Sequence, residues 1–242
     1  MADQTTKLRQ RFDGGEHRQW RAKWITGPGP DVDNRYQYFR HEFDAGDAPS
    51  PLQLAITAST RYRLYLNGEL IGSGPVQSQP FFQYYDQIDL SDHAEPGRNC
   101  LGVIVYHLKM HGASGPSLLS ELTDGAGNLI ATTGPDWQSA HADAWVADTY
   151  AARMNRYAPF QELCIGRKLP QGWAACGFAP DPSWARASVV GGRISDRVQQ
   201  AGPWSQVRRR DIPFMRERPV RAEAIVDINE CLHLMARPRG ND

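Results

Sequence analysis

Short segments of alternating polar and apolar residues, or of continuous apolar residues, recur along the chain from Trp24 onward, and turn-forming residues separate them. Alternation with a period of two places every second side chain on one face of a strand, as for Tyr62, Leu64 and Leu66. Eight segments are predicted to be strands: 36–43, 52–58, 62–68, 69–74, 84–90, 100–108, 117–123 and 128–134. Many short strands between turns are typical of an antiparallel sandwich or barrel.

The turns between these segments have recognisable chemistry. Asn67-Gly68 joins two alternating segments, and both residues tolerate the positive φ of a type I′ turn, which predicts a β-hairpin. The segments 96–99 and 124–128 combine Gly with Asn, Pro or Asp and predict two further turns. Later in the chain the strand pattern weakens, and 140–154 is expected to hold a short helix.

An arginine-dense segment covers 204–221. Such a segment is expected to be a solvated edge strand or a linker whose arginines pair with carboxylates elsewhere, rather than a phosphate site. The predicted organisation is a polar N-terminal tail over 1–20, a β-sandwich over 21–212 and a C-terminal linker or tail over 213–242.

The composition excludes several classes of protein. Of the 242 residues, 27 are Lys or Arg and 27 are Asp or Glu, and this balance argues against a nucleic-acid or anionic-membrane binder. The longest apolar run, 101–108, has the length of a strand and is too short to span a membrane. The chain starts without an apolar signal-peptide core, and its 4 cysteines form no CxxC motif. Free thiols and a cytoplasmic location are therefore expected.

Several motifs are similar to those of a known family. They are 22–25, 38–43, 58–68, 72–75, 84–86, 172–173, 184 and 209–213. In these motifs the chain resembles the N-terminal β-sandwich region of bacterial α-L-rhamnosidases and related glycoside hydrolases. The resemblance implies an all-β fold, a galactose-binding-like jelly-roll β-sandwich with loop-rich insertions. Those enzymes hold their catalytic acids in a separate (α/α)6 barrel, and 242 residues cannot contain both the sandwich and that barrel.

Residue types that carry catalysis do not converge in the predicted strands. Glycoside hydrolysis needs two carboxyl groups flanking one bond, but Asp86 and Asp89 are three residues apart on a strand and point to opposite faces. We expect Asp86 to accept hydrogen bonds from an arginine or a turn amide. His107 and His111 lack the glutamate of a zinc-binding HExxH motif, and Ser73 lacks the pattern of a nucleophile elbow.

Aromatic side chains in loops favour a carbohydrate-binding site more strongly than the polar residues favour a catalytic or metal site. A sugar presents apolar C–H faces that stack on Trp and Tyr rings, while polar side chains bind its hydroxyl groups. Most loop aromatics are expected in the core, and the two favoured for a sugar site are Trp173, which an adjacent glycine leaves open, and Tyr85. The predicted polar partners are Arg61, Asp86 and His111.

Three functions follow, in order of preference. The first is a noncatalytic carbohydrate-binding or accessory module of a rhamnosidase-like glycoside hydrolase, with a carbohydrate that contains L-rhamnose as its ligand. The second is a structural or interaction domain that packs on a catalytic-domain partner without binding sugar. An enzyme active by itself ranks last, and no nucleic-acid or membrane partner is expected. Galactose-binding-like sandwiches often hold a structural calcium ion, for which Asp86, Asp89 and Asp92 are candidate ligands.

Overall fold

A computed structural model describes residues 18–32, 34–47, 51–78, 82–108, 115–147, 162–190, 202–204, 206–215 and 223–224. Regular structure in these ranges is almost entirely β-strand. The strands are β1 (Ile25–Thr26), β2 (Arg35–Asp44), β3 (Gln53–Ala58), β4 (Arg61–Leu66), β5 (Glu69–Gly74), β6 (Gln83–Asp89), β7 (Arg98–His107), β8 (Ser117–Thr123), β9 (Leu129–Thr132), β10 (Gln138–His141), β11 (Ala185–Arg186), β12 (Ser188–Val189) and β13 (Val207–Arg209). One turn of 3₁₀ helix covers Gly166–Lys168.

The strands form two sheets that pack face to face. The first sheet has the order β12-β1-β8-β3-β6-β13, with β9 also paired to β8, and the second has the order β11-β10-β2-β7-β4-β5. Apart from the β4–β5 hairpin, the strands from β2 to β8 alternate between the sheets, since β2, β4, β5 and β7 lie in the second sheet and β3, β6 and β8 in the first. These crossings are those of a jelly roll. The predicted all-β, galactose-binding-like β-sandwich is therefore confirmed.

Alternation along the strands explains where the core lies. In β4 the side chains of Tyr62, Leu64 and Leu66 are at most 2% exposed, whereas Arg61 and Arg63 on the other face are exposed. The shared face of the first three residues is thus confirmed as the core face. Burying each such large apolar side chain stabilises the fold by about 1.5–3 kcal/mol. The largest buried side chains that meet between the sheets include Phe39, Leu54, Ile56, Leu101 and Trp137.

The turn between β4 and β5 has the geometry that its residues predict. Asn67 and Gly68 have φ values of 52° and 88°, as a type I′ turn requires. Leu66 and Glu69 pair across the turn, so the predicted hairpin is confirmed. The Asn67 side chain also accepts a hydrogen bond of 2.9 Å from the backbone N–H of Cys100, which fixes the hairpin to β7.

The helix expected over 140–154 is wrong within the described residues. Gln138–His141 form β10, which pairs with β2. Trp145 then makes an antiparallel bridge with Cys164. The free edge of β2 satisfies the backbone groups of this segment, and this outweighs a weak local preference for helix. Residues 148–154 lie outside the described ranges.

The later part of the chain returns to the sandwich. β13 lies parallel to β6 at the edge of the first sheet, so the expected edge strand is confirmed for the described part of the arginine-dense segment. The segment 162–187 covers part of the outer face of the second sheet, and Ala174 in this segment packs directly on Gly102 of β7. In the ranges described above, no helix is long and apolar enough to cross a membrane.

Candidate functional site

An open groove of about 740 Å³ crosses the outer face of the second sheet and continues around its β5 edge. Strands β2, β7, β4 and β5 supply its floor, and the chain that follows β13 forms one of its walls. A groove of this size accommodates one or a few sugar rings. Its lining includes Tyr36, Arg61, Arg63, Ser73, Tyr106 and Glu162.

Strand register places the floor residues in rows across the sheet. Tyr36 on β2 pairs with Tyr106 on β7, and Tyr106 pairs with Arg61 on β4. In the next row of the same face, Arg63 on β4 pairs with Ser73 on β5. Side chains that are directly opposite across strands lie about 5 Å apart. An aromatic half of the floor therefore adjoins a cationic and hydroxyl-bearing half.

The aromatic half is a stack of three rings. The Tyr36 ring lies 4.6 Å from that of Tyr106 and 4.7 Å from that of Trp145, with interplanar angles of 19° and 18°. The Tyr36 hydroxyl donates a 2.6 Å hydrogen bond to Oε1 of Glu162. Burial raises the pKa of Tyr106 to about 12, and burial together with the Glu162 hydrogen bond raises the pKa of Tyr36 further. Both phenols are therefore neutral at physiological pH.

The groove combines the groups that a sugar requires. The half-buried Tyr106 ring lies on the side of the stack nearest β4 and is partly accessible from the groove. Glu162 is exposed and can accept hydrogen bonds from hydroxyl groups, whereas Arg61 and Arg63 are exposed donors. Ser73 can do both. An aromatic surface with hydrogen-bonding groups at its margin is the usual arrangement for binding a carbohydrate.

A buried polar cluster lies beneath the β5 edge of the groove. The Tyr62 hydroxyl donates a 2.6 Å hydrogen bond to Oδ2 of Asp86, and the Arg210 guanidinium donates one of 3.1 Å to Oδ1. Asp86 is 0% exposed, so it is closed to a ligand. Tyr62 belongs to the second sheet and Asp86 to the first, and the cluster therefore ties both sheets to the chain after β13. The expected hydrogen bond from an arginine to Asp86 is present.

The candidate calcium ligands do not fit a calcium site. Both oxygens of Asp86 are engaged by other side chains. Asp89 is exposed and accepts a 2.9 Å hydrogen bond from the backbone N–H of Ser91. Calcium needs six to eight converging oxygen atoms. No group of three or more His, Cys, Asp or Glu side chains converges among the residues that the structure describes.

The two aromatic residues favoured from the sequence lie outside the groove. Tyr85 is buried on the outer face of the first sheet, with its ring 5.2 Å from that of Trp20. Trp173 lies over the second sheet, 4.7 Å from Tyr38 and 5.5 Å from Tyr65 between ring centroids. It is half-buried and belongs to the aromatic layer that covers this sheet. The two rings are thus on opposite outer faces of the sandwich.

Of the predicted site residues that the structure describes, Arg61 lines the groove and Asp86 lies beneath it. His111 lies outside the described residues. Sequence reasoning missed Tyr36 and Tyr106 as site residues. Their strands were predicted, but the face on which each tyrosine lies and the pairing of β2 with β7 depend on the tertiary fold.

Two mostly antiparallel sheets that are joined by jelly-roll crossings, together with an open groove, define a galactose-binding-like β-sandwich domain. Among solved structures, the chain is similar to the GH78 family rhamnosidase of Bacillus sp. GL1, with 34% identity and a TM-score of 0.68 over 81% of this chain and 20% of that chain. The α-L-rhamnosidase from Dictyoglumus thermophilum, at 21% identity, matches 79% of this chain and 22% of its own with a TM-score of 0.60. The α-L-rhamnosidase from Aspergillus terreus, at 22% identity, matches 72% of this chain and 21% of its own with a TM-score of 0.57.

The resemblance to α-L-rhamnosidases is thereby confirmed in sequence and in fold for the first of these structures. The other two show the shared fold. The chain spans about one fifth of the length of each rhamnosidase that it matches. No family model and no curated protein matches the chain.

Proposed function

We propose that this chain is a noncatalytic carbohydrate-binding or accessory module of a rhamnosidase-like glycoside hydrolase. The observation that carries the proposal is the groove, in which a three-ring stack adjoins exposed hydrogen-bonding side chains. The similarity to one region of a rhamnosidase supports a carbohydrate as the ligand. Because the match covers one fifth of that enzyme, a role apart from hydrolysis is favoured.

The proposed ligand contains L-rhamnose. This sugar carries a methyl group where most hexoses carry a hydroxymethyl group, and it therefore presents more apolar surface to a ring. In the proposed complex, that surface lies on Tyr106 while the sugar hydroxyl groups bind Glu162 and Arg61. The Tyr36 hydroxyl keeps the Glu162 carboxylate in place from the other side.

The open shape of the groove sets the expected affinity. Each hydrogen bond that replaces a bond to water contributes about 0.5–1.5 kcal/mol, and stacking on one ring adds a similar amount. Three or four such contacts total about 2–6 kcal/mol before any cost of association, so we expect a dissociation constant of about 1 mM or weaker, which corresponds to about 4 kcal/mol or less. Calorimetric titration with L-rhamnose and with α-L-rhamnosyl oligosaccharides measures it directly.

A blocking substitution tests whether the groove is the binding site. Ser73 is exposed on β5, so Ser73→Trp fills the groove without disturbing the core. Ser188→Trp is the matched control, because Ser188 is exposed on β12 at the far edge of the first sheet. Ser73→Trp should abolish the heat of binding and Ser188→Trp should retain it. Equal binding of sugar by the two variants would exclude the groove as the binding site.

The alternative is an interaction domain that packs on a catalytic partner without binding sugar. Phe214 and Met215 favour it, since they are 52% and 82% exposed and line one end of the groove. This alternative predicts no heat with any rhamnose-containing sugar. It also predicts concentration-dependent self-association in sedimentation experiments that Met215→Ser reduces. Turnover of an aryl α-L-rhamnoside by the purified chain would contradict both functions.

A further inference from the structure

Two arginines of the groove make no side-chain hydrogen bond and no ion pair in the described part of the chain. Arg61 and Arg63 are two residues apart on β4, so their side chains leave the same face about 7 Å apart. Both are exposed, and within the described residues neither side chain makes a hydrogen bond or an ion pair, although their charges act on the neutral phenols of Tyr106 and Tyr36. By contrast, Arg98 pairs with Glu42, and Arg210 is bound by a buried carboxylate.

The neighbours of this arginine pair are apolar or neutral. Arg61 lies opposite Tyr106, and Arg63 lies between Ile104 and Ser73 in the register. A planar carboxylate matches the guanidinium fork and accepts two parallel hydrogen bonds from it. Because Tyr106 pairs with Arg61, a ligand that stacks on the Tyr106 ring and carries a carboxylate can place that carboxylate over β4.

The acidic residues of the groove make other contacts. Glu162 accepts the hydrogen bond of the Tyr36 hydroxyl and, in the part of the chain that the structure describes, makes no ion pair with either arginine, although the charges of both Glu162 and Arg63 act on the Tyr36 phenol. Asp89, at the other end, is turned toward Ser91, whose hydrogen bonds lower the pKa of Asp89. Although the formal net charge of the whole chain is zero, Arg61 and Arg63 form a local positive site on β4.

Resting on the proposed function, we infer that this groove selects acidic glycans, in which a uronate carboxylate next to rhamnose binds Arg61 and Arg63. A rhamnosyl-glucuronate disaccharide should bind about tenfold more tightly than the matched rhamnosyl-glucose disaccharide, a factor that corresponds to about 1.4 kcal/mol. The two probes differ by a carboxylate in place of a hydroxymethyl group. Added salt should reduce the preference, because the arginines are exposed and are screened by ions.

Calorimetric titration of the full chain with both disaccharides tests the inference. The variant Arg61→Gln/Arg63→Gln should bind the two probes equally, and because Arg61 also donates to sugar hydroxyl groups, its affinity for the neutral probe should fall by up to about tenfold. The control Arg21→Gln/Lys23→Gln removes the same charge from exposed positions beside β1 and should keep the preference. Thermal melting of each variant verifies folding.

The outcomes separate the two claims. Equal binding of both probes by the unmodified protein would overturn the acidic selectivity and leave the proposed function intact. A preference that survives in Arg61→Gln/Arg63→Gln, or that is lost in the control, would overturn the assignment to β4. If a sulfated rhamnoside bound more tightly than the uronate, the carboxylate would be excluded as the recognised group. Binding of no probe would overturn the proposed function itself.

Discussion

Replacing Arg210 by Met should destabilise the sandwich strongly, because it leaves the Asp86 carboxylate buried without its cation. The side chains of the pair are 8% and 0% exposed, so water cannot replace the lost partner. Breaking a buried ion pair from one side costs about 3–5 kcal/mol. Tyr62→Phe removes the other donor to Asp86 but leaves the cation, and it should cost about 1.5–3 kcal/mol.

The interaction can be separated from other effects by a double-mutant cycle. Asp86→Asn/Arg210→Met buries no charge, so it should lose less free energy of unfolding than the two single variants added together. Urea unfolding followed by tryptophan fluorescence gives these values. Arg209→Met is the control, since Arg209 is exposed on β13 and its replacement should change the free energy by less than about 0.5 kcal/mol.

Two results would refute this account of the buried cluster. A loss below about 1 kcal/mol in Arg210→Met would mean that Asp86 is solvated and that the pair does not hold the chain after β13. Unchanged stability of Asp86→Asn, combined with loss of sugar binding, would make Asp86 a ligand-binding residue, as the sequence analysis predicted.

Three further perturbations test the fold around the groove. Gly74→Ala places a methyl group against the buried Asp86 carboxylate and should lower the free energy of unfolding by about 1–3 kcal/mol. Gly72→Ala is the control, because its methyl group meets open space and causes no clash. Thermal melting compares the two variants. Gly102→Ala overlaps Ala174 and should loosen the chain that covers the second sheet, seen as increased tryptophan quenching by acrylamide. Burial raises the pKa of Tyr106 to about 12, so its contribution to stability is complete below the ordinary value of about 10 and is lost as pH rises toward 12. In an alkaline absorbance titration, Tyr106→Phe should lose one of the tyrosines that ionise near pH 12. Loss of a tyrosine that ionises near pH 10 instead would contradict the burial of Tyr106.

Local pattern was sufficient to predict the strands and one face of β4. The alternation of Tyr62, Leu64 and Leu66 determined which side meets the other sheet, because each residue must bury its apolar surface. The hairpin at Asn67-Gly68 was equally predictable, since few residue pairs adopt its dihedral angles without strain. Both features depend on neighbours in the sequence.

The candidate site depends on contacts that are distant in the sequence. Tyr36 and Glu162 are 126 residues apart, and Asp86 and Arg210 are 124 apart. The pairing of strands β2 and β7 places Tyr36 beside Tyr106, and no periodicity in either strand specifies that partner. The expected role of Tyr85 in sugar binding was based on its loop-like surroundings, whereas the fold buries it on the first sheet.

The location of sugar binding is the central claim, and amide resonances of isotope-labelled protein test it most directly. During titration with an α-L-rhamnosyl disaccharide, the account predicts shift changes at Arg61, Arg63, Ser73 and Tyr106, with none at Tyr85 on the opposite outer face. Saturating changes centred on the first sheet, or none at any residue with millimolar sugar, would contradict it.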